Sequence, residues 1–318
     1  SPDTLKIPLL CVKTDKLAFP LGRLVKTFTS VEVKEALKLG YIVEEVFEII
    51  HFPEKSNDLF RSFLGFGVRN KIYASKVNDE DMECYIRENK DSFTPFAEMC
   101  EDWGLEKNGK DHKYHFNCEL DEAKFRYDNS RRQMFKLIIN AFYGRWGMSG
   151  EVETNESFRK NDVESLKKLR DILKDDTNKV STIEWDLKRF IELKYKKKSG
   201  FNKNAKNTCL PIASFTTAYA RCMLHRIMRH VGYENVLYTD TDSVIFVYES
   251  DEPTIGKTIT CKNGNKIRIE ANLGGLTDEL DGDGFIDEFT AHAPKTYAYN
   301  VLKPDGTMKK AVKSKGYA

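Results

Sequence analysis

The amino-acid sequence predicts a fold of the α+β class, in which antiparallel sheets pack against separate helices. In several stretches apolar residues recur at steps of three and four, which is typical of helices that bury one face. Short apolar runs at 236–237 and 244–247 flank turn-forming residues, and Lys303-Pro304-Asp305-Gly306 is a second hairpin signal. Because hairpins join antiparallel strands, we expect antiparallel sheets.

Composition sets broad limits on the class of protein. The chain has 318 residues, 40% of them hydrophobic and 31% charged, which is ordinary for a soluble globular protein of one large domain or two smaller ones. No run of about 18 apolar residues exists, so no membrane partner is expected. Seven cysteines without framework spacing favour free thiols in a reducing compartment: cytoplasm, nucleus or mitochondrion. The net charge of +2 does not by itself indicate nucleic-acid binding.

Helices and one strand are predicted in the first third of the chain. A Thr-Ser pair at 29–30, followed by an acidic residue, predicts a helix that ends at Gly40. Apolar residues alternate from Tyr41 to Phe52, which predicts a strand. Helical patterns return from Leu59 to Val77 and from Asp79 to Asn89.

The next stretch, residues 91–120, is irregular but holds potential metal ligands. These are Cys100, His112, His115 and Cys118. Together they could form a zinc site, although their spacing matches no common zinc finger. A solvated loop is the alternative, and the residues alone do not decide between the two.

A strong amphipathic helix is predicted over 121–146. Its apolar face comprises Phe135, Ile138, Ile139, Phe142 and Trp146. A second face comprises Arg132, Lys136, Asn140, Tyr143 and Gly144. A cation can neutralise phosphate oxygens, an aromatic ring can pack against a base or sugar, and glycine leaves room for close approach, so this face suits a nucleotide. The alternative is a solvated face with incidental polarity.

The segment 151–206 is rich in charge and poor in aromatic residues. Val163 to Leu173 can form an amphipathic helix, and a basic cluster at 188–206 is interleaved with aromatic residues. Such a cluster suits contact with a phosphate backbone, although charge runs are commonly just solvated surface. The segment can be mobile. After it, Pro211 predicts the start of a helix that Gly232 ends.

Tyr238-Thr239-Asp240-Thr241-Asp242-Ser243 lies between two short apolar runs and predicts a tight turn that carries two carboxylates. Hard oxygen ligands in this arrangement suit Mg²⁺ held together with a substrate's phosphates. The alternative is that Asp and Thr simply favour turns. Farther on, residues 294–299 are predicted to form a strand in which Lys295 and Tyr297 share one side.

Three motifs thus follow one another: Lys136-x-x-x-Asn140-x-x-Tyr143-Gly144, then Tyr238-x-Asp240-Thr241-Asp242-Ser243, then Lys295-x-Tyr297. In this order they resemble family B DNA polymerases of the protein-primed viral, organellar-plasmid and transposon branch. The resemblance extends from the first strands to Gly316. It implies a right-hand polymerase with a palm and helical fingers, in which 1–55 is the palm edge and the end of a palm insertion, 56–150 the fingers, 151–207 a second insertion and 208–318 the palm.

The resemblance also implies roles for single residues. Lys136 would contact the triphosphate oxygens of a dNTP, and Tyr143 would pack under the nascent base pair. Arg132, Asn140 and Gly144 would also belong to the nucleotide-binding site. Asp240 and Asp242 would bind two Mg²⁺ ions, or Mn²⁺, with Asp242 the more certain ligand. Thr241, Ser243, Lys295 and Tyr297 would contact the primer. The implied partners are a DNA primer–template, a dNTP and a terminal protein primer.

Some features of the family are absent from the sequence. The other palm motif, which supplies a further metal-binding Asp, would lie upstream of residue 5, as would any proofreading exonuclease. Most or all of the thumb would follow Ala318. The chain alone is therefore expected to be inactive or nearly so. A degenerate element-derived protein that only binds nucleic acid is the main alternative. A glycosyltransferase using Asp240 and Asp242 would explain neither the Lys136 helix nor the Lys295 strand.

Overall fold

The computed structural model shows a mixed α+β protein with small antiparallel sheets, as the sequence predicts. The structure describes residues 5–13, 17–54, 56, 59–76, 122–148, 153–185, 189–198, 208–248, 258–269, 276–280 and 284–314. Within these residues no helix is both long and apolar enough to cross a membrane. The chain divides into two compact units, one formed by Ser1–Asn140 with Ser214–Ala318 and the other by Ala141–Ala213.

The first unit begins with a short hairpin and a capped helix. Strand β1 (Val12–Lys13) pairs antiparallel with β2 (Leu17–Ala18). Helix α1 (Ser30–Lys38) starts at a capping box in which Thr29 and Glu32 satisfy each other's backbone N–H groups. Gly40, with φ 87°, follows the helix, so the predicted helix is confirmed at both ends.

The strand predicted from Tyr41 to Phe52 is wrong, because residues 41–54 carry neither helix nor strand. Large apolar side chains in this stretch are strongly exposed, among them Ile42, Phe47 and Ile49. A strand requires a neighbour that accepts and donates its backbone hydrogen bonds, and no described segment pairs with this one. The alternating apolar residues therefore indicated a tendency to form a strand, but no described strand pairs with this segment.

Helices α2 (Arg61–Tyr73) and α3 (Asn129–Trp146) pack against each other in the first unit, and each confirms part of a predicted helix. The rings of Phe66 and Phe135 meet edge to face with centroids 5.7 Å apart. A Cβ added to Gly67 would lie 3.0 Å from a side-chain carbon of Ile139, so glycine permits this close approach. A single 3₁₀ turn, Glu122–Lys124, precedes α3. The predicted helix at 79–89 and the four zinc candidates lie outside the described residues.

The Ala141–Ala213 unit contains the charged segment 151–206. Strands β3 (Thr154–Arg159), β4 (Asn178–Trp185) and β5 (Phe190–Lys197) form an antiparallel sheet in the order β3-β5-β4, with helix α4 (Val163–Lys174) between β3 and β4 in the chain. Its core comprises Phe158, Leu169, Ile191 and Leu193. Alternate positions of β5 bury apolar side chains in this core. The expected mobility of the segment stays a prediction.

Helix α5 (Leu210–Val231) ends at Gly232, with φ 94°, as predicted. Its residues from Ser214 onward belong to the first unit and pack against α1. Two ion pairs join these helices, Arg221 to Glu32 and Arg226 to Glu35. The second pair is almost fully buried, so α5 is held in one position relative to α1.

The end of the chain consists of antiparallel strands. After a 3₁₀ turn (Tyr233–Asn235) that follows α5, strands β6 (Val236–Asp240) and β7 (Ser243–Phe246) form a hairpin. Strand β8 (Thr258–Thr260) pairs with β9 (Lys266–Arg268). Strands β10 (Phe285–Ala293), β11 (Thr296–Leu302) and β12 (Met308–Ser314) form a three-stranded sheet in chain order. The turn at Lys303–Gly306 is confirmed, because the Gly306 N–H donates to the Lys303 carbonyl over 3.0 Å.

Candidate functional site

The Asp pair lies at the tip of the β6–β7 hairpin, as the sequence predicts. Asp240 pairs with Ser243 at the end of the ladder, which leaves Thr241 and Asp242 as the two turn residues. Thr241 adopts φ 54°, a left-handed conformation that is uncommon outside glycine. The Asp242 N–H donates to the Asp240 carbonyl over 2.6 Å, and the Ser243 hydroxyl donates to the same carbonyl over 3.1 Å. Thr241 and Ser243 therefore shape the turn that presents the two carboxylates.

Lys295 is bound to the carboxylate of Asp240. Its Nζ lies 2.6 Å from Oδ1 and 2.8 Å from Oδ2, although the two residues are 55 positions apart in the chain. The hydrogen bond from Lys295 to Asp240 raises the pKa of the lysine. Two of the three sequence motifs thus meet in space through a charge-assisted contact.

The placement of Lys295 on a strand beside Tyr297 is wrong. Lys295 lies in the tight turn between β10 and β11, with φ 62°, and β11 begins only at Thr296. The Lys295 N–H donates to the hydroxyl of Tyr238 over 2.7 Å, which ties the turn to the Asp hairpin. A left-handed lysine is costly, and this hydrogen bond together with the Asp240 ion pair stabilises it.

Aromatic rings connect the hairpin to the three-stranded sheet. Tyr238 packs on Tyr297 with ring centroids 4.7 Å apart and on Phe289 at 5.8 Å. Tyr297 in turn stacks on Tyr299 at 6.2 Å. Burial raises the pKa of Tyr297, and the neighbouring Tyr299, Tyr238, Asp240 and Glu279 act in the same direction. Tyr297 therefore stays a neutral phenol in the physiological range.

Asp242 differs from Asp240 in that its carboxylate is open. The residue is exposed, and within the described part of the chain its side chain has no hydrogen-bond or ion-pair partner. Aspartate oxygens are the hard donors that Mg²⁺ prefers, so Asp242 fits such an ion directly. The Asp240 carboxylate already accepts contacts from Lys295, so a cation bound there would compete with the lysine. Across the described residues no group of three His, Cys, Asp or Glu side chains is placed to hold a metal.

A second group of functional candidates lies on α2 and α3. Burial lowers the pKa of Lys71, and the positive charges of Arg132 and Lys136 lower it further. Lys71 therefore lies close enough to Arg132 and Lys136 for both charges to act on it. Among the described residues no carboxylate pairs with any of them. Lys71 was missed by sequence reasoning, because it lies on a different helix and no local spacing links it to the α3 pair.

Asn140 follows Arg132 and Lys136 along α3 and is exposed. Tyr143 and Gly144 are on the part of the same helix that belongs to the Ala141–Ala213 unit. The Tyr143 side chain is exposed, and a Cβ added to Gly144 would meet no atom within 4 Å. The protein's own packing therefore does not require glycine at this position.

Comparison with known proteins adds no assignment. No protein-family model, curated protein or solved structure matches the chain. The candidate site thus consists of two described groups: the Asp240–Lys295–Tyr297 group at the β6–β7 hairpin, and the Lys71–Arg132–Lys136 group on α2 and α3.

Proposed function

We propose that this chain is the palm–fingers portion of a template-directed DNA polymerase of the protein-primed type. The observation that carries the proposal is the contact between Lys295 and Asp240, which joins two separate polymerase-like motifs at one turn. A solvated turn rich in Asp would not require a left-handed lysine from another hairpin to reach its carboxylate. A nucleotide and a primer terminus, in contrast, need cationic, carboxylate and aromatic groups side by side.

The cluster of Lys71, Arg132 and Lys136 supports the nucleotide part of the proposal. Burial together with the positive charges of Arg132 and Lys136 lowers the pKa of Lys71, and cations grouped in this way favour a polyanion. The triphosphate of a dNTP is such a polyanion, and its binding would relieve the repulsion among the three. Asn140 follows on the same helix, where it would contact the same nucleotide.

The residues at the hairpin would act mainly by positioning. Asp242, and Asp240 once released by Lys295, would hold divalent cations such as Mg²⁺ or Mn²⁺. Such ions supply stabilisation of the charge that develops on the attacking and leaving oxygens of phosphoryl transfer. Lys295 and Tyr297 would hold the primer terminus, and Thr241 and Ser243 would keep the turn in shape. DNA primer–template and dNTP are thus the proposed partners, with a terminal protein as the proposed primer.

The catalytic part of the proposal is tested in the longest natural form of the protein. Asp242→Ala is expected to abolish dNMP incorporation on a primer–template while DNA binding changes little, because the open carboxylate is the direct metal ligand. Primer extension and a gel-shift titration measure the two effects. Incorporation at the wild-type rate would refute the assignment. Asp278→Ala, an exposed Asp in the same unit, is the matched control.

A second candidate function is nucleic-acid binding without catalysis. The observation that favours it is that Lys295 occupies Asp240 and leaves one open carboxylate at the turn. The same pair of assays separates the two functions. Duplex binding by the wild-type protein with no incorporation, even with Mg²⁺ or Mn²⁺ present, would favour the binding protein.

A further inference from the structure

A hydrogen bond between two side chains joins α2 to α3 beside the group of three cations. A terminal guanidinium nitrogen of Arg131 donates to Oδ1 of Asn70 over 2.6 Å, although the two residues are 61 positions apart. Asn70 is only 9% exposed, and its amide nitrogen donates to the Phe66 carbonyl over 2.8 Å. Because both ends of the amide are bound, Asn70 holds the Arg131 guanidinium at one place on α2.

Backbone hydrogen bonds join the same ends of the two helices. The Arg126 N–H donates to the Tyr73 carbonyl over 2.9 Å, and the Asp128 N–H donates to the Ala74 carbonyl over 3.1 Å. The Asp128 carboxylate accepts the backbone N–H of Arg131 over 3.0 Å, which caps the start of α3. The first turn of α3 is therefore attached to the last turn of α2.

The cation group lies directly beside this attachment. Asn70 precedes Lys71 in the chain, and Arg131 precedes Arg132, so the contact between Asn70 and Arg131 sets how far apart the following two cations lie. Lys71 is half-buried, and the positive charges of Arg132 and Lys136 act on it. Like charges in a partly desolvated place repel, so another contact has to hold them together. The Asn70–Arg131 hydrogen bond is such a contact.

We infer that Asn70 and Arg131 are positioning residues, whose hydrogen bond holds Lys71 in place to bind a triphosphate group. The bond keeps this lysine beside Arg132 and Lys136, so that all three cations contact the phosphates of one ligand. This inference rests on the proposed function, since it takes the triphosphate of a dNTP as the ligand. Without the bond, repulsion would move Lys71 away from α3, and two cations would remain at the site. Asn70 therefore acts on the ligand through Lys71.

The test measures binding of inorganic tripolyphosphate to the chain by isothermal titration calorimetry near neutral pH. Asn70→Ala removes the acceptor of the Arg131 bond and changes no charge. We expect the affinity to fall about tenfold, which corresponds to the loss of one charge-assisted contact. Ser75→Ala is the matched control, because the Ser75 hydroxyl donates over 2.8 Å to the Lys71 carbonyl at the same end of α2. This control should bind tripolyphosphate as tightly as the wild type.

A double-mutant cycle shows whether Asn70 acts through Lys71. Lys71→Met should lower the affinity about tenfold, and adding Asn70→Ala to it should change the affinity by less than about twofold. The pH profile gives a second measure, because the affinity of the wild type should fall as Lys71 loses its proton below pH 10.5. In Asn70→Ala that fall should begin at a higher pH, since Lys71 no longer contributes to binding.

A second variant breaks the same contact from the exposed side. Arg131→Met should lower the affinity more than Arg126→Met, which removes an equal charge just before α3. This pair decides the matter if circular dichroism shows that Asn70→Ala does not fold.

Two results would overturn the inference while leaving the polymerase proposal intact. One is that Asn70→Ala and Arg131→Met bind tripolyphosphate as tightly as their controls. The other is that the losses from Asn70→Ala and Lys71→Met add in the double variant. If the wild-type chain binds neither tripolyphosphate nor dATP, the nucleotide part of the proposed function fails, and the inference fails with it.

Discussion

Replacing Arg226 with Met should destabilise the protein strongly, because it leaves a buried carboxylate without its partner. Arg226 donates to Glu35 through Nε at 3.1 Å and through a terminal guanidinium nitrogen at 2.6 Å. The Glu35 side chain is 0% exposed and that of Arg226 is 8% exposed. Removal of one partner from a buried pair costs about 3–5 kcal/mol of unfolding free energy. We expect a loss in that range for Arg226→Met.

The neighbouring ion pair provides a control of the same chemistry. Arg221→Met also removes a guanidinium from an α1 glutamate, Glu32. The Glu32 carboxylate, however, still accepts hydrogen bonds from the backbone N–H and hydroxyl of Thr29, at 3.1 and 2.9 Å. The Arg221 side chain is also 28% exposed, so water can replace part of what is lost. The expected cost is about 2 kcal/mol.

Urea unfolding followed by far-UV circular dichroism measures both losses, with the slope of free energy against denaturant checked for each variant. The double variant Glu35→Leu with Arg226→Met removes the uncompensated charge and should recover most of the stability. A loss below about 1 kcal/mol for Arg226→Met would refute the reasoning. So would equal losses for Arg226→Met and Arg221→Met.

Two further predictions concern packing and pH. Gly284→Ala should cost about 3 kcal/mol in urea unfolding, because Gly284 has φ 119° and its added Cβ would lie 1.9 Å from the Leu302 carbonyl oxygen. Gly306→Ala, with φ 81° and no atom within 4 Å of the added Cβ, should cost less, and equal costs would contradict this argument. Burial lowers the pKa of His225 below 6.5, so as pH falls through that value the unfolded chain takes up a proton that the folded protein does not. As pH decreases from 6.5, the unfolding free energy should therefore decrease, by at most about 1.4 kcal/mol per pH unit from this group. The variant His225→Gln should show a smaller decrease, and a pH profile equal to that of the wild type would contradict the prediction.

Elements with local signals were predictable from the sequence. Helix α1 has its capping box within four residues, and α5 has Pro211 near its start and Gly232 at its end. The turn that carries Asp240 and Asp242 is likewise specified by neighbouring residues. In each case the groups that stabilise the element are close in the chain, so pattern and spacing suffice.

Elements that depend on a distant partner were not predictable. The alternating pattern of 41–52 does not reveal whether a neighbouring strand exists, and the described residues provide none. Lys295 was expected on a strand beside Tyr297, but the hydrogen bond from its N–H to Tyr238 and its ion pair with Asp240 hold it in a turn. Both contacts cross more than 50 residues of chain, where local propensity carries no information.

The sequence by itself determined the residue types at the candidate site, their order and the turn that presents the two carboxylates. Only the tertiary structure decided that Lys295 binds Asp240 and leaves Asp242 open. Tertiary structure also brought Lys71 to the cations of α3 and placed Lys313 beside Tyr297. The physical reason is the same in each case: electrostatic contacts and strand register act between segments that the chain keeps far apart, and only folding sets their distances.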